Sequence, residues 1–440
     1  MSRLREEQKA AMSRLREEQR AACQNCRVPA SADSTTCVIA GGGPAGMVLG
    51  LLLARGGVPV VVMEKHADFL RDFRGDTVHA STLRLLDELG LGPRFAQVPH
   101  RLIESIRMQV QDVPIKVGLN RLPGAHKHIA LVPQWDFLEL LATAAEEEPT
   151  FTLMRSTEVL SALVRDGRVA GVRYRGSDGE TREMRAALTV ACDGRSSTLR
   201  SSMRLQPKAF GTPMDVWWFR LPRQSGDPTG LNGVFRSGHA CVVIDRGDYY
   251  QIAYIIPKGT DSAMRAEGVG ALRRQLVQLV PWLSDRVEQI ASMDEVKLLD
   301  VQLNRLHRWY TDGLLLIGDA AHAMSPVGGV GINLAVADAV AAAAALAAPL
   351  REGNLGRRQL ARVQARRWLP TVLIQSVQRL IHARVIAVAM NEAAAEPVKP
   401  PLPVRMMSKL PALGAVAGYA IAIGPLPEHA PAFARRDAPM

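Results

Sequence analysis

Cysteine, lysine and clustered charge are what this chain has least of. Its 440 residues hold five cysteines, an odd count, and two of them fall in apolar strand-like runs. A disulfide framework needs paired cysteines, so a reducing compartment is the better reading. Cys23-x-x-Cys26 has the spacing of a redox pair or half a zinc site, but no second ligand pair and no βα context go with it, and no metal is expected. The formal charge is +11, yet the basic residues are scattered, with no basic block and no interleaved aromatics. That excludes a nucleic-acid interface and leaves a general attraction for anionic nucleotides or membrane surfaces. The amino terminus is charged and lacks an apolar core, so no signal peptide is read there and a cytoplasmic protein is expected.

The stretch TCVIAGGGPAGMVLGLLLARGGVPVVVMEKH, from Thr36 to His66, reads as one βαβ unit. An apolar strand runs directly into Gly41-x-Gly43-x-x-Gly46. The first glycine permits the tight turn, the second lets the backbone approach a pyrophosphate, and the third lets helix and strand pack closely. Free N–H groups and the dipole at the helix start attract that anion. The second strand ends in Glu64, about 20 residues on, where a carboxylate accepts from a ribose diol.

Elsewhere the pattern alternates between buried parallel strands and period-two segments. Residues 1–35 carry MSRLREEQKAA and its near copy from Met12, a charged extension that is disordered or helical. Two copies are too few for a repeat architecture. A helix starts near Ser81, short strands fill 100–130, and Gln134 opens an amphipathic helix. From Val159 to Cys192 the sequence predicts a three-stranded meander turning at Asp166-Gly167 and Asp178-Gly179, followed by the apolar strand LTVACDG. Residues 206–300 form a separate, largely β segment that ends in a helix near Leu272. The run LLLIGDAAH restores the buried parallel signal, and an Ala-rich helix, more helix and a Pro/Ala-rich tail follow.

Three motifs now stand in order: GGGPAG at 41–46, CDGRSSTLR at 192–200, and LLLIGDAAHAMSPVGGVGINLAVADA from Leu314. With the meander between them they resemble the class A flavoprotein monooxygenases, the p-hydroxybenzoate hydroxylase-like group. The resemblance implies an α/β fold: a Rossmann-like, glutathione-reductase-type FAD-binding domain with parallel sheet and β-meander, an inserted mainly β substrate domain, and C-terminal helices. Its parts would be 36–205 and 301–350 for FAD, with 100–130 open to the substrate side, 206–300 for substrate, and 351–440 for helices and tail. It assigns Gly41, Gly43 and Gly46 to the FAD pyrophosphate, Glu64 to the adenosine ribose, Arg74 to the diphosphate and Gln134 to the flavin chain. Asp193, with Gly194, Ser197 and Arg200, would serve FAD and the nicotinamide nucleotide jointly, and Asp319 the ribityl or pyrophosphate region. Pro326, Gly329, Gly331, Ile332 and Asn333 would line the isoalloxazine edge, where N–H donors at a helix start suit the negative charge of a reduced flavin.

The activity implied is hydroxylation of an aromatic or polyketide-like small molecule with NADPH or NADH and oxygen, through a flavin hydroperoxide. A reductase on the same fold, of the kind that saturates isoprenoid chains, is the alternative, and a non-catalytic nucleotide-fold binding protein the second. On the substrate side, Trp217, Phe219 and Tyr254 alternate along strands and are expected either to wall the pocket or to be plain core. His79 is the candidate base for a phenol. His322 reads as structural. The apolar tail from Leu410 to Pro427 is broken by Pro and Gly, so it makes a poor membrane span and fits a packed or dimer-interface helix, with a weak membrane-surface contact as the alternative. The chain is expected to be a monomer or homodimer.

Overall fold

The computed structural model describes residues 33–70, 77–111, 113–236, 238–387 and 411–437. The duplicated segment, the Cys23–Cys26 pair and Arg74 lie outside them. The strand Ser34–Ala40 begins inside the stretch expected to be an extension, because Ser34 and Thr35 already pair with Arg185 and Ala186. It sits in the middle of a sheet ordered Tyr310–Thr311, Leu314–Leu316, Thr181–Ala191, Ser34–Ala40, Val60–Met63, Phe151–Met154. All neighbours but the first pair are parallel. Buried on both faces, such strands need continuous apolar runs, and Cys37 to Ala40 are no more than 1% exposed. The helices Pro44–Arg55, Gln134–Glu146 and Gly331–Arg351 share one core with the sheet.

The meander Glu158–Arg165, Arg168–Arg175, Thr181–Ala191 lies on the other face. Its third strand and the apolar run LTVA, which the sequence suggests are two elements, are a single strand of 11 residues. The first half pairs antiparallel with Arg168–Arg175, and the second pairs parallel with Ser34–Ala40 and Leu314–Leu316. No turn residue interrupts it, so one strand serves both.

A second sheet runs Lys297–Leu299, Met214–Pro222, Tyr249–Pro257, His239–Asp245, Leu231–Arg236, Ser105–Val110, Val113–Gly118. The parallel pairing of Leu231–Arg236 with Ser105–Val110 brings part of 100–130 into this sheet. At the carboxyl end, the segment Val327–Arg351 is long and apolar enough to cross a membrane, but 61% of its window is buried inside the protein, as a core helix requires. The helix Pro411–Ala422 has 12 residues, too few for a span. It packs within this chain: a Cβ on Gly418 would meet the Gly118 carbonyl oxygen at 2.9 Å.

Candidate active site

The loop after the first strand divides its glycines into two kinds. Gly41 has φ +104°, and a Cβ there would lie 2.4 Å from the Cys192 carbonyl oxygen; a Cβ on Gly46 would lie 2.0 Å from the Gly41 oxygen. Both are required by the protein's own packing. Gly43 is different, because a Cβ there would meet nothing within 4 Å. Its bare backbone faces open space at the start of Pro44–Arg55, where Pro at the first turn lacks an N–H and no acidic residue competes for the helix end. Glu64 accepts from the Gly42 N–H at 2.9 Å and the His66 N–H at 3.1 Å, which fixes its carboxylate at the strand end. Asp193 accepts from the Leu199 N–H at 3.0 Å, and its Oδ1 is buried with no partner. Burial pushes its carboxyl up, with Ser197 and nearby N–H groups working against that shift. Gln134 begins its helix at the edge of the same space, and Asp319 lies across it with Arg195 at 3.9 Å.

A second glycine turn closes the other side. Gly328 and Gly329 are both left-handed, at φ +83° and +62°, before the helix that starts at Gly331. Thr77 holds this turn through a 2.8 Å bond from its hydroxyl to the Gly329 oxygen, and a Cβ at 329 would strike that hydroxyl at 2.5 Å. Asn333 is a clamp: its amide donates to the Thr77 and Gly329 carbonyls, while its oxygen accepts from the His79 N–H at 2.9 Å and the Thr82 hydroxyl at 2.7 Å. Pro326, Gly329, Gly331 and Ile332 line the space beside it. His79 is not set up as a base. It is 1% exposed, its Nδ1 is 2.7 Å from the Ile421 carbonyl oxygen, and its Nε2 is enclosed without a partner. Burial lowers its pKa to about 4, with the Ile421 bond opposing. The ring stands at the edge of the cavity, and its bond to Ile421 ties the tail helix to the loop.

Both turns open into one cavity of about 1570 Å³. That exceeds the ~300–1,000 Å³ of an ordinary small-molecule pocket, so there is room for a cofactor and a substrate together. Its far wall is one face of the second sheet, with Val216, Trp218, Phe235, Ala253 and Ile255 among the lining residues. Trp217, Phe219 and Tyr254, expected on that wall, are on the opposite face, at most 1% exposed and packed against the helix Val269–Leu279. Trp217 donates to Asp261 at 2.6 Å and Tyr254 bonds His239 and Gln275. Alternation was legible in these strands but its phase was not, since both faces of Met214–Pro222 are apolar and both are covered. Sequence reading therefore missed Trp218 and the polar pair Arg246–Gln251, joined at 2.7 Å on the same wall.

Residues 34–368 match the profile of the family described as FAD binding domain. The chain belongs to that family. It is 32% identical over 383 residues to 6-methylpretetramide 4-monooxygenase of Streptomyces rimosus, which covers 84% of this chain and 89% of the relative. The fold is that of OxyS anhydrotetracycline hydroxylase from Streptomyces rimosus (TM-score 0.69, 23% identity, 88% of this chain and 76% of the other). It is also that of Pseudomonas aeruginosa PqsL in complex with 2-aminobenzoylacetate (TM-score 0.70, 20% identity, 82% and 98%). This protein is a class A FAD-dependent monooxygenase, and its residues fit the cofactor. The space beside Gly43 and Gly331, which a Cβ would partly fill, is a cradle for a flat or anionic group, and the buried Asp193 Oδ1 has no partner among the described residues.

The flavoprotein carries one buried charge network that sequence reading passed over. Asp338 is fully buried inside the Ala-rich helix and receives His322 Nε2 at 2.6 Å, Arg367 Nε at 3.0 Å and the Gly318 N–H at 3.1 Å. Arg367 continues to Glu428 at 3.1 Å. Burial raises the Asp338 pKa, but His322, Arg367 and the Gly318 N–H together outweigh it and hold the carboxyl below its ordinary value. The signal was a lone carboxylate in an otherwise apolar helix. His322, read as structural from sequence, is 1% exposed and part of this network, which ties the GDAAH turn to the tail.

Proposed function

We propose that this flavoprotein uses NADPH or NADH and oxygen to hydroxylate a polycyclic aromatic or polyketide-like molecule. The reading rests on one observation above all: a single cavity has the glycine loop of a dinucleotide site at one end and an apolar sheet face at the other. Gly41, Gly43 and Gly46 would carry the FAD pyrophosphate, Glu64 the adenosine ribose, and Gln134, Asp193 and Asp319 the stretch between. Pro326, Gly329, Gly331, Ile332 and Asn333 would border the ring. When bound, FAD supplies hydride acceptance from the nicotinamide nucleotide and activation of oxygen. The chain's own part is to orient and to exclude water. N–H groups at the start of Gly331–Arg351 favour negative charge beside them, and Asn333 with Thr77 keeps that turn in place. Val216, Trp218 and Ile255 make a dry wall, and Arg246 with Gln251 offers a polar point on it. The relative named for a methylpretetramide and the fold neighbour named for anhydrotetracycline support a fused-ring substrate. Free thiols at Cys37, Cys192 and Cys241 support a cytoplasmic setting.

The test is to purify the yellow protein and follow NADPH oxidation with oxygen uptake across a panel of phenols and fused-ring aromatics. A substrate that stimulates both and gains one oxygen atom supports the proposal. Hydride consumption without an oxygenated product would replace it with a reductase.

The two neighbouring tryptophans separate wall from core. Trp218→Ala is expected to raise the substrate KM roughly tenfold, a ~1–3 kcal/mol effect of pocket fit, with a smaller loss of stability than at Trp217 because Trp218 is only half-buried against its core. Trp217→Ala is expected to lose about 3–5 kcal/mol of stability with KM unaltered in the folded fraction. Urea unfolding beside steady-state kinetics checks both.

A further inference from the structure

The long helix Arg357–Ile381 with its π-turn continuation to Ile386 contains seven arginines from Arg357 to Arg384 and no Asp or Glu. Its outward face carries Leu369, Leu373, Val377 and Leu380, which are 53%, 45%, 56% and 55% exposed. Spaced four, four and three residues apart, they form one stripe along the helix, about 17 Å long at 1.5 Å per residue. The tail helix beside it exposes Val416 and Tyr419, at 66% and 43%. Leu373, Val377, Leu380 and Tyr419 also line the cavity, so the stripe is the rim of its mouth.

Cations without acidic partners among the described residues lie along the same helix and beside it, and Arg384 also lines the cavity. Arg358, Arg362, Arg379 and Arg384 make no ion pair among the described residues, and neither does Lys208. The Arg305 and Arg379 guanidiniums both stand 5.1 Å from the Phe210 ring, with the Lys208 ammonium at 6.0 Å. Burial lowers the Arg305 pKa and the nearby Arg379 charge lowers it further.

We infer that this face docks on an anionic lipid bilayer, with the apolar stripe at the acyl boundary and the arginines at headgroup level. An exposed apolar stripe flanked by arginines and free of acids matches that interface in both hydropathy and charge. A second copy of the chain is a poor occupant, because it would set an acid-free, arginine-rich helix against itself. Docking places the mouth of the cavity on the membrane, and a lipophilic substrate would enter there; substrate entry rests on the monooxygenase reading, while docking does not.

Flotation of the purified full chain with vesicles is the test. Binding is expected to vesicles of phosphatidylcholine with phosphatidylglycerol, to weaken as salt rises, and to be absent with phosphatidylcholine alone. R358Q/R362Q/R379Q, all at exposed positions, should weaken binding roughly hundredfold, at about fivefold per arginine, with flavin content and melting temperature unchanged. L369D should weaken it as well. No flotation with anionic vesicles, or equal flotation of wild type and the triple variant, overturns the inference. So does salt-insensitive self-association that L369D abolishes. None of these readouts needs turnover, so failure here leaves the proposed reaction standing.

Discussion

Gly43→Leu is expected to give a protein that folds with near wild-type stability and comes off the column colourless. Nothing lies within 4 Å of a Cβ at 43, so the side chain enters space that the protein itself does not use. It would displace the group that approaches the bare backbone there. Losing two hydrogen bonds to a charged phosphate, at about 1.5–3 kcal/mol each, weakens FAD binding by about a hundredfold or more. Gly46→Val is expected to fail differently. Its Cβ would lie 2.0 Å from the Gly41 oxygen and 3.3 Å from Ile39 Cγ2, so helix and strand must separate and stability falls by at least ~3 kcal/mol. Urea unfolding and FAD titration of both variants separate the two causes. If Gly43→Leu retains FAD at wild-type affinity, the pyrophosphate does not lie on this loop.

Asp338→Ala should be the most damaging single change outside the glycine loop. It leaves buried His322 without its carboxylate and Arg367 with Glu428 alone, and removing one partner of a buried pair costs about 3–5 kcal/mol. Asp338→Leu combined with Arg367→Leu is expected to lose much less than the sum of the single changes, since it removes both charges together. Acid should act on the same network. Asp338 holds its proton more weakly folded than unfolded. Its stabilisation is therefore complete above the unfolded value of about 4 and vanishes as pH falls through the depressed folded value. His79 adds an earlier window: with a folded pKa of about 4 against an ordinary value near 6.5, the unfolded chain takes up that proton first. Stability should therefore decline from about pH 6.5 down to its folded pKa of about 4. His79→Gln should flatten that slope, as urea midpoints measured across the range would reveal.

Where the sequence was readable, backbone chemistry made it so. Gly41 and Gly46 are required by turn geometry and close packing, and Gly43 and Glu64 follow at fixed spacing, so a nucleotide end could be proposed from local rules. The Asp-Gly and Gly-Asp turns at 193 and 318 are legible for the same reason. On the substrate side the rules gave out. Trp217 and Trp218 are equally apolar neighbours, and only the helix Val269–Leu279 covering one face decides which of them meets the cavity. The continuous strand Thr181–Ala191 was divided in two because its halves answer to different partners.

The sequence by itself determined the βαβ unit, the order of the motifs, the meander and the Ala-rich core helix, because each depends on residues close together in the chain. Tertiary structure alone decided what contacts at long range control. It buried the ring of His79 and tied it to Ile421, 342 residues away. It also joined Asp338 to His322, Arg367 and Glu428, and chose the face of the second sheet that looks into the cavity. Burial and partner are properties of the assembled core, and no local pattern carries them.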